Sequence, residues 1–439
     1  MTAAAGTTVP PKAVRPPVAP MAGGLTPATN SIRLAAEHFA ASTLYLVAGA
    51  VGLVWIAPQL AMGMYPSPHV AGITHLFTLG WITTTIFGAL AQLLPVALGA
   101  PIRSTRVGHA SFFTFVPGVG FFAAGIASSS LMLEHIGIGL ITVGIVLEVA
   151  NIAASLPQAK NRDVTWGAVI IAISFLSSTL VLGVILLHNL HSGFIANARI
   201  TTLATHLHVA LVGWVLVMIV GVSHRLLPMF LLAHGADTRW TKRALALLTV
   251  GVLSLATGLI AHFAPAVWLG TALMDGGIAC FIWQAYSFYR VRVRRKIDVG
   301  MRFAMIAIFF LAIAAVLGTA LLIAGPMHAR LATMYITVGL LGGIVLYVTG
   351  FFYKIVPLLA WTARFRGRMG KGPVPTVAQL YSAKVAYVQL GLMTLGVVLL
   401  AGGIGAGTAH VTRCGAVLFL AGILLFTTQI ARVAFGGRT

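Results

Sequence analysis

The sequence predicts an all-α, polytopic membrane protein of about twelve transmembrane helices in three pseudo-symmetric groups of four. Three observations predict it. The 439 residues are 59% hydrophobic and only 8% charged, whereas a soluble domain carries roughly 25% charged residues. The apolar runs are continuous rather than alternating, and each is long enough for a bilayer, which takes about 20 residues as a helix. One apolar segment also recurs at intervals of four helices.

The composition excludes a soluble core, and lipid admits only helices or closed barrels because every backbone polar group must be satisfied internally. Continuous runs favour helices. Residues 1–33, rich in Ala, Pro, Gly and Thr, have no stretch of signal-peptide length and read as a disordered cytoplasmic tail. The membrane domain is expected over 34–433, with a short cytoplasmic tail at 434–439. Its helices are expected at 34–57, 70–98, 109–127, 131–155, 164–188, 200–231, 242–262, 265–289, 302–324, 328–359, 378–402 and 409–433.

The formal net charge is +21. In a soluble protein this would point to nucleic acid. Here the cations lie in short loops on one side of the membrane. Lys12, Arg15 and Arg33 come first, then Arg103 and Arg106, Lys160 and Arg162, and Arg239, Lys242 and Arg243. The longest basic run holds Arg290, Arg292, Arg294, Arg295, Lys296 and Arg302. Arg364, Arg366, Arg368, Lys371, Lys384, Arg432 and Arg438 complete the set, against only Arg199, Arg330 and Arg413 opposite. The positive-inside rule accounts for this asymmetry, puts both termini in the cytoplasm of a bacterial-type plasma membrane, and makes the lipid bilayer, not nucleic acid, the partner. Cys280 and Cys414 lie inside apolar runs without a CxxC pattern, so they read as small core residues rather than zinc, c-type haem or disulfide sites.

The repeat is HLFTLGWITTTIFGALAQLLPV from His75 and HVALVGWVLVMIVGVSHRLLPM from His208, with eight identities over 22 ungapped positions. A third copy, TVGLLGGIVLYVTGFFYKIVPL from Thr337, keeps Gly342, Gly350 and Pro357 in register. Helices two, six and ten are therefore equivalent. The step from His75 to Pro95 is twenty residues, roughly 30 Å of helix or one hydrocarbon thickness. His75 and His208 fall near the outer surface. Pro95, Pro228 and Pro357 fall near the cytoplasmic ends, as exits or kinks. Arg225 and Lys354 share a repeat position with Gln92 and are expected to meet anionic lipid or haem propionates.

Of the 14 histidines, ten fall on the outer side: His69, His75, His135, His188, His191, His206, His208, His262, His328 and His410. His38, His109, His224 and His234 fall inside. Imidazole is the commonest metal ligand and also ligates haem iron. The matched pair His75 and His208 are the leading ligand candidates. His206 sits two residues, or about 200°, from His208 and is expected to serve a second centre. His188 and His191 share a helix face near an exit, where solvation is the simpler reading. Among the acids, Glu134 adjoins His135 at an outer helix end. Glu148 and Asp275 lie in membrane helices, where carboxylates carry protons, brace a histidine, or stay neutral and structural.

These residues carry a resemblance. Twelve helices, a threefold organisation and outer histidines opening helices two and six resemble the haem–copper oxidase subunit I superfamily. HLFTLGWITTTIFGALAQLLP looks especially like helix two of C-type oxidases and nitric oxide reductases. The resemblance implies haem, with copper as a further metal. His75 would be the haem ligand, His208 or His206 the copper ligand, and a cytochrome c-type or other redox subunit the partner. Two family features are missing. The tenth helix, RLATMYITVGLLGG, holds Met334 and Tyr335 but no histidine after His328, and no His-His dipeptide occurs. The chain also looks like the NnrS family of haem- and copper-containing membrane proteins. Three functions follow: a redox protein handling electrons, oxygen or nitric oxide; a membrane transporter, although the repeats run parallel rather than inverted; and an oxidase-like assembly or structural subunit without catalysis.

Overall fold

The structure, a computed structural model, describes residues 29–436 apart from 196, 197, 234, 236, 294, 295, 326, 370 and 371. Among the described residues there is no strand, and twelve helices are long and apolar enough to cross a membrane. The chain is thus an all-α multi-pass membrane protein. The spans are α1 (Ser31–Ala61), α2 (Pro68–Leu98), α3 (Thr105–Ser128), α4 (Leu131–Gln158), α5 (Val164–Ser192) and α6 (Arg199–Leu231). There follow α7 (Arg239–Ile260), α8 (Ala264–Arg290), α9 (Val299–Ala324), α10 (Ala329–Arg368), α11 (Ala383–Ala406) and α12 (Ala409–Phe435). An even number of spans leaves both ends of this domain on the face with the basic loops.

The tail expected over 1–33, with Lys12 and Arg15, lies outside the described residues as far as residue 28, while Ser31 to Arg33 already belong to α1. His234, Arg294, Arg295, Lys371 and Arg438 also lie outside them. The start of α11 moves from the expected 378 to Ala383. Val377–Leu380 form a separate short turn, closed where Thr376 N–H donates to Gln379 Oε1 at 2.7 Å, and Ser382 then caps α11. Only the first repeat proline marks an exit at once. Pro95 sits in a wide turn, Leu94–Leu98, which ends at Gly99 with φ 63°, a left-handed position that favours glycine. Pro228 and Pro357 stay within continuing helix.

The threefold repeat is built into the packing. The most deeply buried spans are α2, α6 and α10, which meet one another along the centre. Trp214 Nε1 on α6 donates to Thr83 Oγ1 on α2 at 3.1 Å. The Trp81 ring on α2 lies 4.6 Å from Phe352 on α10. Ser223 on α6 shares a 2.5 Å hydrogen bond with Tyr347 on α10. Each central helix widens into an eight-residue π-helix at the same repeat position: Leu76–Thr83, Val209–Leu216 and Val338–Val345. Matching i→i−5 bonds run from Thr84 N–H to Leu79, from Val217 to Val212 and from Leu346 to Leu341. Such wide turns are rare and are frequent at functional sites.

A wide turn accommodates an extra residue, and the contacts with α1, α5 and α9 register it. Gly80, Gly213 and Gly342 pack on Tyr45, Phe175 and Phe310; an added β-carbon would lie 2.6, 2.7 and 2.7 Å from the respective Cγ. Gly88, Gly221 and Gly350 pack on His38, Ala168 and Phe303. The glycines are eight residues apart and their partners seven, so each π segment absorbs one residue over two turns.

The remaining helices form three hairpins, α3–α4, α7–α8 and α11–α12, zipped by glycines at one spacing. Gly118, Gly125, Gly137 and Gly144 correspond to Gly251, Gly258, Gly270 and Gly277, and to Gly396, Gly403, Gly415 and Gly422. All twelve face the partner helix at van der Waals range, the small-residue packing that helices use where lipid supplies no hydrophobic drive.

The +17 positions of the repeat correct an expectation. Arg225 pairs with Asp163 and Lys354 with Asp298, each acid capping the N-terminus of α5 or α9, and Gln92 Nε2 donates to Ser31 Oγ on α1 at 3.3 Å. These cations tie the second helix of a group to the start of its first, because an acid stands there to pair with them. Cys280 is half-buried and packs against the hydrophobic core, whereas Cys414 is exposed on the surface of its helix.

Candidate metal-binding histidine site

The central helices are buried without interruption through the middle of the membrane, and less so toward both ends. Residues 81–88 and 213–220 are buried without interruption, whereas 74–76, 78–79, 206–208, 210–212 and 334–336 are only half-buried. This looser vestibule sits on the histidine-rich face and contains His75, His206 and His208.

His75 and His208 are each the last α-helical residue before a π segment. Their rings are held alike. His75 Nδ1 bonds the Ala71 carbonyl at 2.8 Å and His208 Nδ1 the Ala204 carbonyl at 2.8 Å. A carbonyl accepts only, so Nδ1 carries the proton and Nε2 the lone pair, which is how an outer hydrogen bond orients a ligating imidazole.

Beyond that the two rings differ. His208 Nε2 accepts from the Tyr335 hydroxyl at 3.1 Å, with the rings stacked 6.0 Å apart. His75 Nε2 has no hydrogen-bond partner among the described residues, and the edge of Phe122 braces the ring at 5.1 Å. The electrostatic neighbour of His75 is His206. The His206 ring lies along Gly183 on α5, and its buried Nδ1 closes no well-formed hydrogen bond. The structure therefore pairs His208 with Tyr335, and sets His206 on α6 within electrostatic range of His75 on α2.

Tyr335 packs against α9, and a separate hydrogen bond joins α8 to α9 nearby. The Tyr335 ring packs on Gly318, Asp275 is its electrostatic neighbour, and Asp275 accepts from Thr319 Oγ1 at 2.6 Å. The other two acids lie elsewhere. Glu134 is fully buried and pairs with His191 Nε2 at 2.5 Å, joining α4 to α5 across two repeats; it does not hold its neighbour His135, whose Nδ1 bonds the Leu131 carbonyl. Glu148 is buried in α4 against Ser111, with Oε2 unpartnered. His188 lies against Phe194. His69 contacts Gln59 and Trp55.

The donor set decides which metals fit. Among the described residues no three His, Cys, Asp or Glu side chains converge as a metal cluster. The chemistry of the vestibule does suit imidazole ligation, since His75 Nε2 has no hydrogen-bond partner among the described residues and His206 lies within electrostatic range of it. An adjoining cavity between α1, α2 and α10, lined in part by Ile73, Thr74 and Thr337, measures about 40 Å³. That is room for water, and none of the three histidines lines it.

Sequence reasoning missed Tyr335 as a partner of His208, and it missed the glycine zippers. The glycines left a signal. They recur at 133 residues between the first two hairpins, the spacing of His75 and His208, and at 145 between the last two.

No protein-family model matches the chain, and no curated protein is similar to it at a significant level.

Proposed function

We propose that this is a membrane-bound haem-binding redox protein on an oxidase-like frame, in which His75 would hold the iron through Nε2 and His206 would be the second imidazole of the site. The observation that carries the reading is the His75 ring. Its Nδ1–H is spent on the Ala71 carbonyl, its Nε2 keeps a lone pair without a protein partner among the described residues, and His206, whose backbone neighbour is Thr179, lies within electrostatic range. Bound iron would supply one-electron chemistry, suited to electron transfer or to handling oxygen or nitric oxide. Copper, with its preference for imidazole, fits the same pair.

The protein's own part is to orient the imidazoles and to limit water. The Ala71 carbonyl fixes the tautomer of His75, Phe122 fixes the plane of its ring, and the packed centre below the vestibule closes the path toward the basic face. In this reading His208 keeps Tyr335 as its hydrogen-bond partner. The basic face is cytoplasmic in this reading. The histidine face then receives a cytochrome c-type or other electron donor outside a bacterial-type plasma membrane.

The test is the absorbance and metal content of protein purified from haem-replete cells. A Soret band with stoichiometric iron, lost in His75→Ala and weakened in His206→Ala but kept in His208→Ala, supports the assignment. Colourless, metal-free protein overturns it. A second reading, an oxidase-like structural subunit without cofactor, is favoured by the lack of a three-ligand cluster among the described residues and by the small adjoining cavity. Under it, His75→Ala and His206→Ala leave cofactor content and phenotype unchanged.

A further inference from the structure

On the basic face, between the start of α9 and the start of α11, lies an open groove of about 660 Å³ lined by Lys296, Ile297, Arg302, Met305, Ile306 and Tyr387. Its polar end carries two cations, Lys296 in the loop before α9 and Arg302 in the first turn of the helix. The Arg302 guanidinium lies 5.2 Å from the centre of the Tyr387 ring, which braces it at the groove. Below them the wall turns apolar, with Met305 exposed and Ile306 half-buried. The acid next in sequence, Asp298, caps α9 and is paired with Lys354.

We infer that this groove binds one anionic phospholipid. A phosphodiester meets Lys296 and Arg302, and an acyl chain follows Met305 and Ile306 along the membrane face. Three features select that occupant over a soluble anion. The groove opens where a membrane span enters its loop, the level of headgroups. Cations and an aromatic ring sit above aliphatic side chains, which matches the polarity order of a lipid. Two cations face the site while the neighbouring carboxylate is already paired, so the groove is electropositive. Basic pockets between membrane helices on this side recognise anionic headgroups by the same chemistry. The inference is independent of the redox reading.

The experiment measures phosphatidylglycerol retained per chain after exchange into neutral detergent, with phosphatidylcholine and inorganic phosphate as separate competitors. Wild-type protein is expected to keep at least one phosphatidylglycerol, and K296A/R302A to bind it about thirtyfold more weakly. R302K keeps most of the binding. K296E, a loop substitution outside the helix, weakens binding without disturbing the span. Arg162→Ala, which removes a basic side chain from another loop, leaves it unchanged. Equal retention by wild type, K296A/R302A and K296E overturns the inference. So does displacement by millimolar phosphate as effective as by phosphatidylglycerol, which would make this a site for a free anion. So does equal retention of phosphatidylcholine.

Discussion

The zipper glycines allow a matched test on a single helix. Gly137 and Gly139 stand two residues apart on α4. A β-carbon on Gly137 would strike the main-chain nitrogen of Phe122 on α3, whereas Gly139 has nothing within 4 Å. At the equivalent Gly415 the new carbon would lie 2.5 Å from Leu400 N, and ordinary contact begins at 3.4 Å. The hairpin must therefore open by about 0.9 Å, and main chain, unlike a side chain, has no rotamer to yield with. Overpacking of this kind costs typically about 1–3 kcal/mol, and spreading the hairpin also loses contacts at the other zipper glycines. Gly139→Ala should instead gain up to about 1 kcal/mol, because alanine loses less backbone freedom in a helix. The two variants should thus differ by about 2–4 kcal/mol in unfolding free energy, followed by circular dichroism during an SDS titration in mixed micelles. Gly270→Ala and Gly415→Ala should match Gly137→Ala, since they occupy the same repeat position. If Gly137→Ala and Gly139→Ala unfold at the same midpoint, the claim that main-chain contact sets the hairpin geometry is wrong.

Three further outcomes follow from particular contacts. Trp214→Phe should cost about 1 kcal/mol in the same titration, the usual worth of a hydrogen bond, by removing the Trp214–Thr83 link between α6 and α2; Thr83→Val should add little to it. Glu134→Leu leaves His191 without its carboxylate and should lower stability by about 1–3 kcal/mol, while the double variant Glu134→Leu/His191→Leu should recover part of the loss, because an apolar pair leaves no polar group stranded between α4 and α5. Tyr335→Phe removes the donor to His208 Nε2. It should leave the optical spectrum of a His75-ligated iron unchanged, and a large shift in that spectrum would place iron on His208 instead.

Much of the architecture was legible because bilayer thickness and the positive-inside rule act on single residues. Arg103, Lys160, Arg239, Arg290 and Arg364 mark one face in turn, and the apolar runs between them have little freedom but to span. The repeat from His75 to His208 was legible for a similar reason, since its glycines and tryptophans are fixed by contact at the centre. The third copy is weak in letters, yet Gly342 and Gly350 make the same contacts as Gly80 and Gly88. The glycine zippers were hidden by a longer connection between α10 and α11, which changes the third offset to 145. The histidine pairing was not legible because equivalence in sequence is not proximity. Residues related by a pseudo-threefold arrangement are turned by about a third of a circle, so His208 does not face His75 merely by matching it. Two residues earlier, about 200° around the helix, the His206 ring lies along Gly183 of α5. The ion pairs of Arg225 and Lys354 could be anticipated only by noticing that Asp163 and Asp298 open the preceding helices.

The assignment of His75 as an axial ligand is tested most directly by the visible absorbance of His75→Gly with and without added imidazole. Ligation through Nε2 requires that the glycine variant lose or broaden the Soret band of the wild-type protein and that free imidazole, entering the space left by the ring, restore it. A variant whose spectrum and iron content equal those of the wild type, with imidazole making no difference, would show that no iron is bound through His75.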